Sequence, residues 1–255
     1  MIKWLLVFLL WCGVAEAGLD LDGADDFVSV GAQAELNVQN YTVACWYKSS
    51  GITGSTEAET VFENSGTGGF ALNVHQNNIG TRDNNDVACW VNDGSWKSTS
   101  TSSDTLTTNV WSHIACTLGS GTIRLYVNGA EINSTGSIGT VAYTSTAVYI
   151  GKDAGGADTY SFGQVNECAM WDVALTATEM SQLYNSKMKR LPLNIDPTNL
   201  IGYWPLDDEE DGSSGDGDAF ADMSTNRNNG TGDDGANNTG LTAKAEEVLS
   251  YPDDD

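Results

Sequence analysis

Hydrophobic and polar residues alternate in short runs along most of the chain, the pattern of β-strands with one buried face. Stretches rich in Gly, Asn, Ser and Thr separate the runs, and Asn128-Gly129 predicts a tight type I′ hairpin turn. Many short strands with turn residues between them predict an all-β sandwich or barrel. The predicted strands are residues 41–48, 60–64, 70–75, 87–91, 122–127, 147–150 and 164–171.

One segment carries a helical pattern instead. Thr176 and Glu179 form the S/T-x-x-E sequence of a capping box, which satisfies N–H groups at the start of a helix. Met180 and Leu183 then fall on one face at helical spacing. The sequence therefore predicts one short helix near residues 176–187, with its apolar face packed on the sandwich.

Residues 1–17 have the features of an export signal. Lys3 supplies the positive end, residues 4–14 form a short apolar run, and Ala15-Glu16-Ala17 has the small-x-small pattern of a cleavage site. The apolar run is too short to span a bilayer, and no later segment resembles a membrane span. The chain is therefore predicted to be secreted or placed on an extracellular or virion surface.

The charge of the chain is strongly unbalanced. It contains 11 Lys plus Arg against 35 Asp plus Glu, a formal net charge of −24. Such a chain repels the phosphates of nucleic acids and anionic lipids, so a nucleic-acid partner is not expected. The acidity fits calcium binding, because calcium takes carboxylate, amide and carbonyl oxygens as ligands. Solubility in a salty medium explains the same composition equally well.

Four cysteines remain once the signal segment and its Cys12 are removed: Cys45, Cys89, Cys116 and Cys168. An even number in an oxidising compartment favours disulfides, although free buried thiols are the alternative. No CxxC pair is present, so a zinc cluster is not predicted.

Four stretches resemble, in order, the laminin-G-like and pentraxin-like domains of the concanavalin A-like lectin/glucanase superfamily. They are LDLDGADDFVSVG, NYTVACWYK, WSHIACTLGSGTIRLYVNG and VNECAMWDVALTATEMSQLY, within residues 18–187. The resemblance implies a two-sheet antiparallel β-sandwich, or jelly roll, over residues 18–190. It also implies calcium, a ligand-binding rim or concave face, and a Cys45–Cys116 disulfide that leaves Cys89 and Cys168 as the second pair.

The C-terminal segment, residues 191–255, presents two alternatives. LIGYWPLDD and the Asn-rich stretch after it resemble the opening strand and loop of a laminin-G-like domain, but they follow the last predicted strand. The segment is either a truncated second repeat or an extra strand that folds back onto the first sandwich. Fold-back is favoured, because an isolated YWPL strand could not bury its apolar side chains. An acidic tail would then end the chain.

Two loops are dense in oxygen ligands and are the predicted calcium sites. Neither matches a full EF-hand loop, and ordinary turn formation by Asp and Asn would explain both without a metal. If the C-terminal segment folds back, both loops could meet at one site. The candidate metal ligands are Asp22, Asp25, Asp26, Asp222, Asn226 and Asn228.

The stretch from His75 to Trp96 combines aromatic, amide and charged side chains, as sugar-binding surfaces do. The predicted ligand-binding residues are His75, Arg82, Asn84, Asn85, Asp86, Trp90 and Trp96. Neither the paired acidic residues of a glycoside hydrolase strand nor a GxSxG motif occurs, so no enzymatic activity is predicted.

The sequence thus favours an exported, non-catalytic recognition module with calcium-dependent binding of carbohydrate or glycoprotein. The alternative is a structural or decoration protein of a cell envelope or virion that uses the sandwich as a scaffold. A glycoside hydrolase is the third and least favoured class.

Overall fold

Short strands form two antiparallel sheets stacked face to face, and one α-helix lies against the first sheet. The two-sheet sandwich with one short helix is therefore confirmed. No helix within the described ranges is long and apolar enough to cross a bilayer. The structure, a computed structural model, describes residues 18–51, 58–64, 66–75, 85–101, 105–145, 147–153, 160–185, 191–206, 219–233 and 242–244.

The first sheet carries the helix on its outer face. Its described strands are β1 (Gly18–Asp22), β3 (Tyr41–Ser49), β8 (Trp111–Gly119), β9 (Thr122–Val127), β10 (Ala130–Thr135), β12 (Phe162–Trp171), β13 (Leu200–Trp204) and β16 (Thr242–Lys244). They are ordered β10-β9-β8-β3-β12-β1-β16. β1 pairs with the first half of one edge of β12, and β13 pairs with the second half of the same edge.

The second sheet lies on the other side of the core. Its described strands are β2 (Phe27–Ala32), β4 (Ala58–Asn64), β5 (Phe70–His75), β6 (Asp86–Asn92), β7 (Trp96–Ser100), β11 (Ala147–Ile150), β14 (Ala219–Phe220) and β15 (Gly230–Asp233). They are ordered β14-β15-β2-β11-β4-β5-β6-β7. Helix α1 spans Ala177–Asn185, and short 3-10 helices span Ala34–Leu36 and Leu191–Asn194.

The alternation of side chains separates two apolar layers. Along β3, Val43, Cys45 and Tyr47 face the core between the sheets, whereas Ala44 and Trp46 face the outer side of the first sheet. Because each fully buried side chain of this kind contributes about 2 kcal/mol, strand register largely decides the stability of the sandwich.

Helix α1 covers the outer layer and begins with the predicted capping box. The Thr176 N–H donates to Glu179 Oε2 at 2.7 Å, and the Glu179 N–H donates back to Thr176 Oγ1 at 3.3 Å. Met180 and Leu183 are buried against the first sheet beside Trp171. The helix predicted at this position is confirmed.

The predicted hairpin turn is also present. Asn128 and Gly129 both have positive φ angles, 50° and 76°, as a type I′ turn requires. The Asn128 side-chain oxygen accepts the backbone N–H of His113 at 3.0 Å, which fixes the turn against β8.

The C-terminal segment contributes strands to both sheets. In the first sheet, Trp204 lies opposite Cys168 and Tyr203 opposite Ala169, and both aromatic side chains are fully buried. Pro205 follows the last residue of β13, where a missing N–H costs no ladder bond. In the second sheet, β15 pairs with β2.

The four cysteines within the described residues form two disulfides, but the pairing implied by the resemblance is wrong. Cys45 is bonded to Cys168 and Cys89 to Cys116. Cys45 and Cys116 do lie on neighbouring strands, but they are offset by two residues, because Cys116 lies opposite Val43.

The other edge of β3 explains the observed partner of Cys45. The pairing of β12 with β3 shifts between Asn166 and Ala169, and this bulge brings Cys168 to Cys45 with a Cα–Cα distance of 4.2 Å. Cys116 instead meets Cys89 of β6, at 5.8 Å between Cα atoms. The second disulfide therefore joins the two sheets across the core.

Candidate functional site

An exposed tryptophan marks the hairpin between β6 and β7. Trp96 is 43% exposed, and its ring meets that of the half-buried Trp90 edge to face, with centroids 6.4 Å apart. Cys89 and Val91 face the core, so Trp90 between them faces outward. Two of the predicted ligand-binding residues therefore lie together on the outer face of the second sheet.

One polar residue of the same hairpin, Asn92, shares the outer face with these rings, whereas Lys97 lies opposite the core residue Val91 and faces the inner side. We call Trp90, Asn92 and Trp96 the tryptophan platform. Asn92 lies opposite Trp96 in the ladder, and Lys97 donates to the Asp93 carboxylate. Sequence reasoning missed Asn92, Asp93 and Lys97, although the Asn-Asp-Gly-Ser turn between the two tryptophans was a usable signal.

Residues far along the chain hold the platform rigid. The Asp93 carboxylate accepts the Gly139 N–H at 2.7 Å, and Lys97 Nζ donates to the Ser137 carbonyl at 2.7 Å. The hydrogen bond from Lys97, and then that from Gly139, lowers the pKa of Asp93, so this carboxylate stays ionised. A fixed ring edge with the Asn92 amide on the same face is suited to stacking and hydrogen bonding with a sugar.

The remaining predicted ligand-binding residues do not join the platform. Asp86, at the start of β6, lies about 13 Å from Trp90 along the strand. It is buried and accepts the Thr101 hydroxyl at 2.9 Å. The Asn85 side-chain oxygen accepts the Ser49 hydroxyl at 3.0 Å. Both side chains therefore have structural partners.

His75 lies opposite Asp86 in the ladder, at the same end of the sheet. Arg82 and Asn84 fall outside the described residues. The predicted rim is therefore divided, with the two tryptophans at one end of β6 and His75, Asn85 and Asp86 at the other.

The first predicted metal loop brings its carboxylates together. Oxygens of Asp22, Asp25 and Asp26, which we call the acidic loop, lie within 4.8 Å of one another. The loop also bonds to itself, because Asp26 Oδ2 accepts the Asp22 N–H at 2.8 Å and Asp22 Oδ1 accepts the Ala24 N–H at 2.7 Å. Three carboxylates at this spacing could hold a hard cation such as calcium.

In the second predicted metal loop, the carboxylate of Asp222 accepts hydrogen bonds from the protein itself. Asp222 is fully buried and accepts the N–H groups of Tyr203 at 2.9 Å, Ser224 at 2.8 Å and Asn228 at 2.8 Å, together with the Ser224 hydroxyl at 2.9 Å. The Asn226 side chain donates to the Ile201 carbonyl at 3.0 Å. Asp222 therefore anchors the C-terminal segment to β13.

The two loops do not share one site. Asp22 lies opposite Phe162 at the start of β12, whereas Tyr203, which bonds Asp222, lies opposite Ala169. Seven residues of strand correspond to about 23 Å. Folding back brings the C-terminal segment into the sandwich but not to the acidic loop.

The acidic loop is also remote from the tryptophan platform. Val28 of β2 lies level with Cys89 of β6 through the successive pairings of β11, β4 and β5. Asp26 precedes Val28, whereas Trp96 lies beyond Cys89 in the opposite direction along the sheet. Five strand spacings, from β2 to β7, and several residues of rise place Trp96 more than about 25 Å from Asp26.

Comparison with known proteins identifies the family. A laminin G-type family model, described as the concanavalin A-like lectin/glucanases superfamily, matches residues 22–181, more than half of the chain. The chain belongs to the concanavalin A-like lectin/glucanase superfamily. A search of the curated proteins finds no match.

Solved structures similar to this concanavalin A-like chain include a protein from Bacteroides ovatus that is proposed to bind carbohydrate, with a TM-score of 0.66 and 21% identity. The similarity covers 92% of this chain and 62% of that protein. A heptameric SAP-like pentraxin from Limulus polyphemus has a TM-score of 0.52 and 18% identity, over 67% of this chain and 82% of the pentraxin.

A third similar structure is the CBM40 of a Ruminococcus gnavus IT-sialidase bound to α2,3-sialyllactose. Its TM-score is 0.52 and its identity 14%, over 68% of this chain and 98% of the module. At these identities the similarities establish the concanavalin A-like fold alone.

Proposed function

We propose that this protein is an exported, non-catalytic recognition module that binds carbohydrate or glycoprotein through the tryptophan platform. The observation that carries the proposal is the exposed ring of Trp96, which meets the ring of Trp90 and has the Asn92 amide beside it on the same face. Two similar structures support it, since one is proposed to bind carbohydrate and the other holds sialyllactose.

The exposed area of Trp96 sets the expected strength of binding. A tryptophan side chain buries 150–250 Å² when fully covered, so covering the exposed 43% removes roughly 100 Å² from water. At ~25 cal/mol per Å², this burial contributes about 2 kcal/mol. Removing the ring should therefore weaken binding by about 30-fold.

Calcium, in this proposal, binds the acidic loop and stabilises the fold. Because the loop lies about 25 Å from the platform, a cation there makes no contact with a ligand on Trp96. Calcium dependence of binding would then follow from stability alone. Export is supported by two disulfides, which persist in oxidising compartments.

The test is a glycan array followed by calorimetric titration of the best sugar into wild type and Trp96→Ala. Ile132→Ala is the matched control, because Ile132 is the other large exposed hydrophobic residue in the described ranges, at 48%. We expect Trp96→Ala to lose about 30-fold in affinity and Ile132→Ala to bind like wild type. A chelator should leave the affinity of the folded protein unchanged.

Equal binding by Trp96→Ala and wild type would refute the platform as the ligand site. If the array shows no sugar affinity and the protein co-purifies with intact envelope or virion particles, the decoration function replaces recognition.

A further inference from the structure

A pocket of about 330 Å³ opens on the outer face of the first sheet, beside the start of α1. We call it the helix pocket. Thr117, Arg124 and Tyr126 line it from β8 and β9, and Glu131 lines it from β10. The segment from Ala174 to Ala177 forms the facing wall. The tryptophan platform lies on the opposite face of the sandwich, so the two features are separate.

The helix pocket contains a buried hydroxyl that lacks a partner. Thr117 is 1% exposed, and its Oγ1 makes no hydrogen bond in the structure. Burial, and then the Glu131 carboxylate, raises the pKa of Tyr126, so the phenol keeps its proton. The Arg124 charge and then the nearby Thr117 hydroxyl oppose that shift. Because a buried hydroxyl without a partner is costly, the pocket favours an occupant that can bond to Thr117.

The charged groups of the pocket are only loosely paired. Arg124 Nε lies 3.6 Å from Glu131 Oε2, and the Tyr126 hydroxyl donates to the same oxygen at 3.4 Å. Both charged side chains are more than one third exposed, at 35% and 39%. Each can therefore turn toward a ligand, Arg124 as a donor and Glu131 as an acceptor.

These features select the class of ligand. The charges of Arg124 and Glu131 cancel. Binding of an anion is disfavoured by Glu179 at the start of α1 and by the net charge of the chain, −24. Donors and acceptors side by side suit a molecule with several hydroxyl groups, and Leu175 with Ala174 offers an apolar wall for its C–H face. The volume is at the lower end of the range for small-molecule sites.

We propose that the helix pocket binds one neutral sugar unit, with adjacent hydroxyls between Arg124 and Glu131 and a third on Thr117. This second site does not depend on the tryptophan platform. It would let the protein engage carbohydrate on both faces of the sandwich.

The experiment is an NMR titration of the isotope-labelled full chain with a panel of neutral monosaccharides and one sugar acid, monitored at the backbone amides of Ser120 and Ala177. Arg124→Met should weaken binding by about 10- to 100-fold, since it removes a charged hydrogen-bond donor. Thr117→Val keeps the side-chain shape and should weaken binding by about 2- to 10-fold.

Thermal unfolding separates a ligand role from a structural one. Thr117→Val should unfold at the wild-type temperature or above, because it removes an unsatisfied buried hydroxyl. Trp96→Ala is the control variant, and it should keep full affinity at the helix pocket even though it loses the platform. The proposal is overturned if no neutral sugar shifts the two amides saturably, if only the sugar acid does, or if Thr117→Val binds like wild type.

Discussion

Alanine in place of Asp222 would remove one acceptor group from four hydrogen bonds at once. The buried carboxylate connects the backbone of β13 at Tyr203 to the loop at Ser224 and Asn228. The same loop holds the core residue Trp204, whose indole N–H donates to the Asn228 carbonyl at 2.8 Å. The change therefore acts on the attachment of the whole C-terminal segment.

The magnitude follows from the groups left behind. Alanine leaves the N–H groups of Tyr203, Ser224 and Asn228 without their acceptor, and each buried unsatisfied group costs about 1–3 kcal/mol. Allowing for water entering the space of the lost carboxylate, we expect unfolding free energy to fall by about 3–5 kcal/mol. Asp222→Asn keeps one acceptor oxygen and should cost about half as much.

Urea unfolding followed by tryptophan fluorescence measures this loss. Asp172→Ala is the control, because Asp172 is exposed and its change should stay within about 0.5 kcal/mol. The measurement is repeated with a chelator, since calcium ligation by Asp222 is the alternative. If the chelator lowers the stability of wild type but leaves that of Asp222→Ala unchanged, Asp222 is a metal ligand and the anchoring role is refuted; calcium in the acidic loop alone would lower both equally.

Three further measurements follow. Burial lowers the pKa of His113 from 6.5 to about 4, so its contribution to stability is complete above pH 6.5 and falls by about 3 kcal/mol as the pH drops to 4. His113→Leu should lose less stability than wild type over that range, and parallel pH curves would contradict the assignment. Non-reducing peptide mapping should recover a peptide that contains Cys45 bonded to Cys168, and recovery of a Cys45–Cys116 peptide would contradict the observed pairing. Calcium at 100 times its Kd should raise the free energy of unfolding of wild type by about 2.7 kcal/mol and that of Asp25→Asn by much less. An equal gain in both would show that calcium does not bind the acidic loop.

Strand positions could be predicted because they depend on local alternation. The runs at 70–75 and 147–150 coincide with β5 and β11. Which strands lie next to each other could not be predicted in this way. Nothing in the sequence near Cys45 indicates that β8 lies on one side of its strand and β12 on the other. The bulge that presents Cys168 depends on Glu167 adopting a φ of 50°, which alternation does not reveal.

The candidate site shows the same limit. Trp90 and Trp96 were found because aromatic residues on turn-linked strands are recognisable locally. Asp93 and Lys97 matter through contacts with residues more than 35 positions away, which spacing does not encode. For Asp222, the oxygen-rich pattern that suggests calcium equally serves to accept backbone N–H groups.

The placement of the last strands has a consequence for how the chain folds. Gly18 lies opposite Lys244, and β15 supplies one of the two neighbours of β2, so both sheets are completed by residues near the C-terminus. Such pairings between distant parts of the chain close large loops and make folding slow. A chain interrupted before residue 230 exposes one edge of β2, and open strand edges pair with other chains. During synthesis the protein is therefore aggregation-prone until β15 and β16 have emerged.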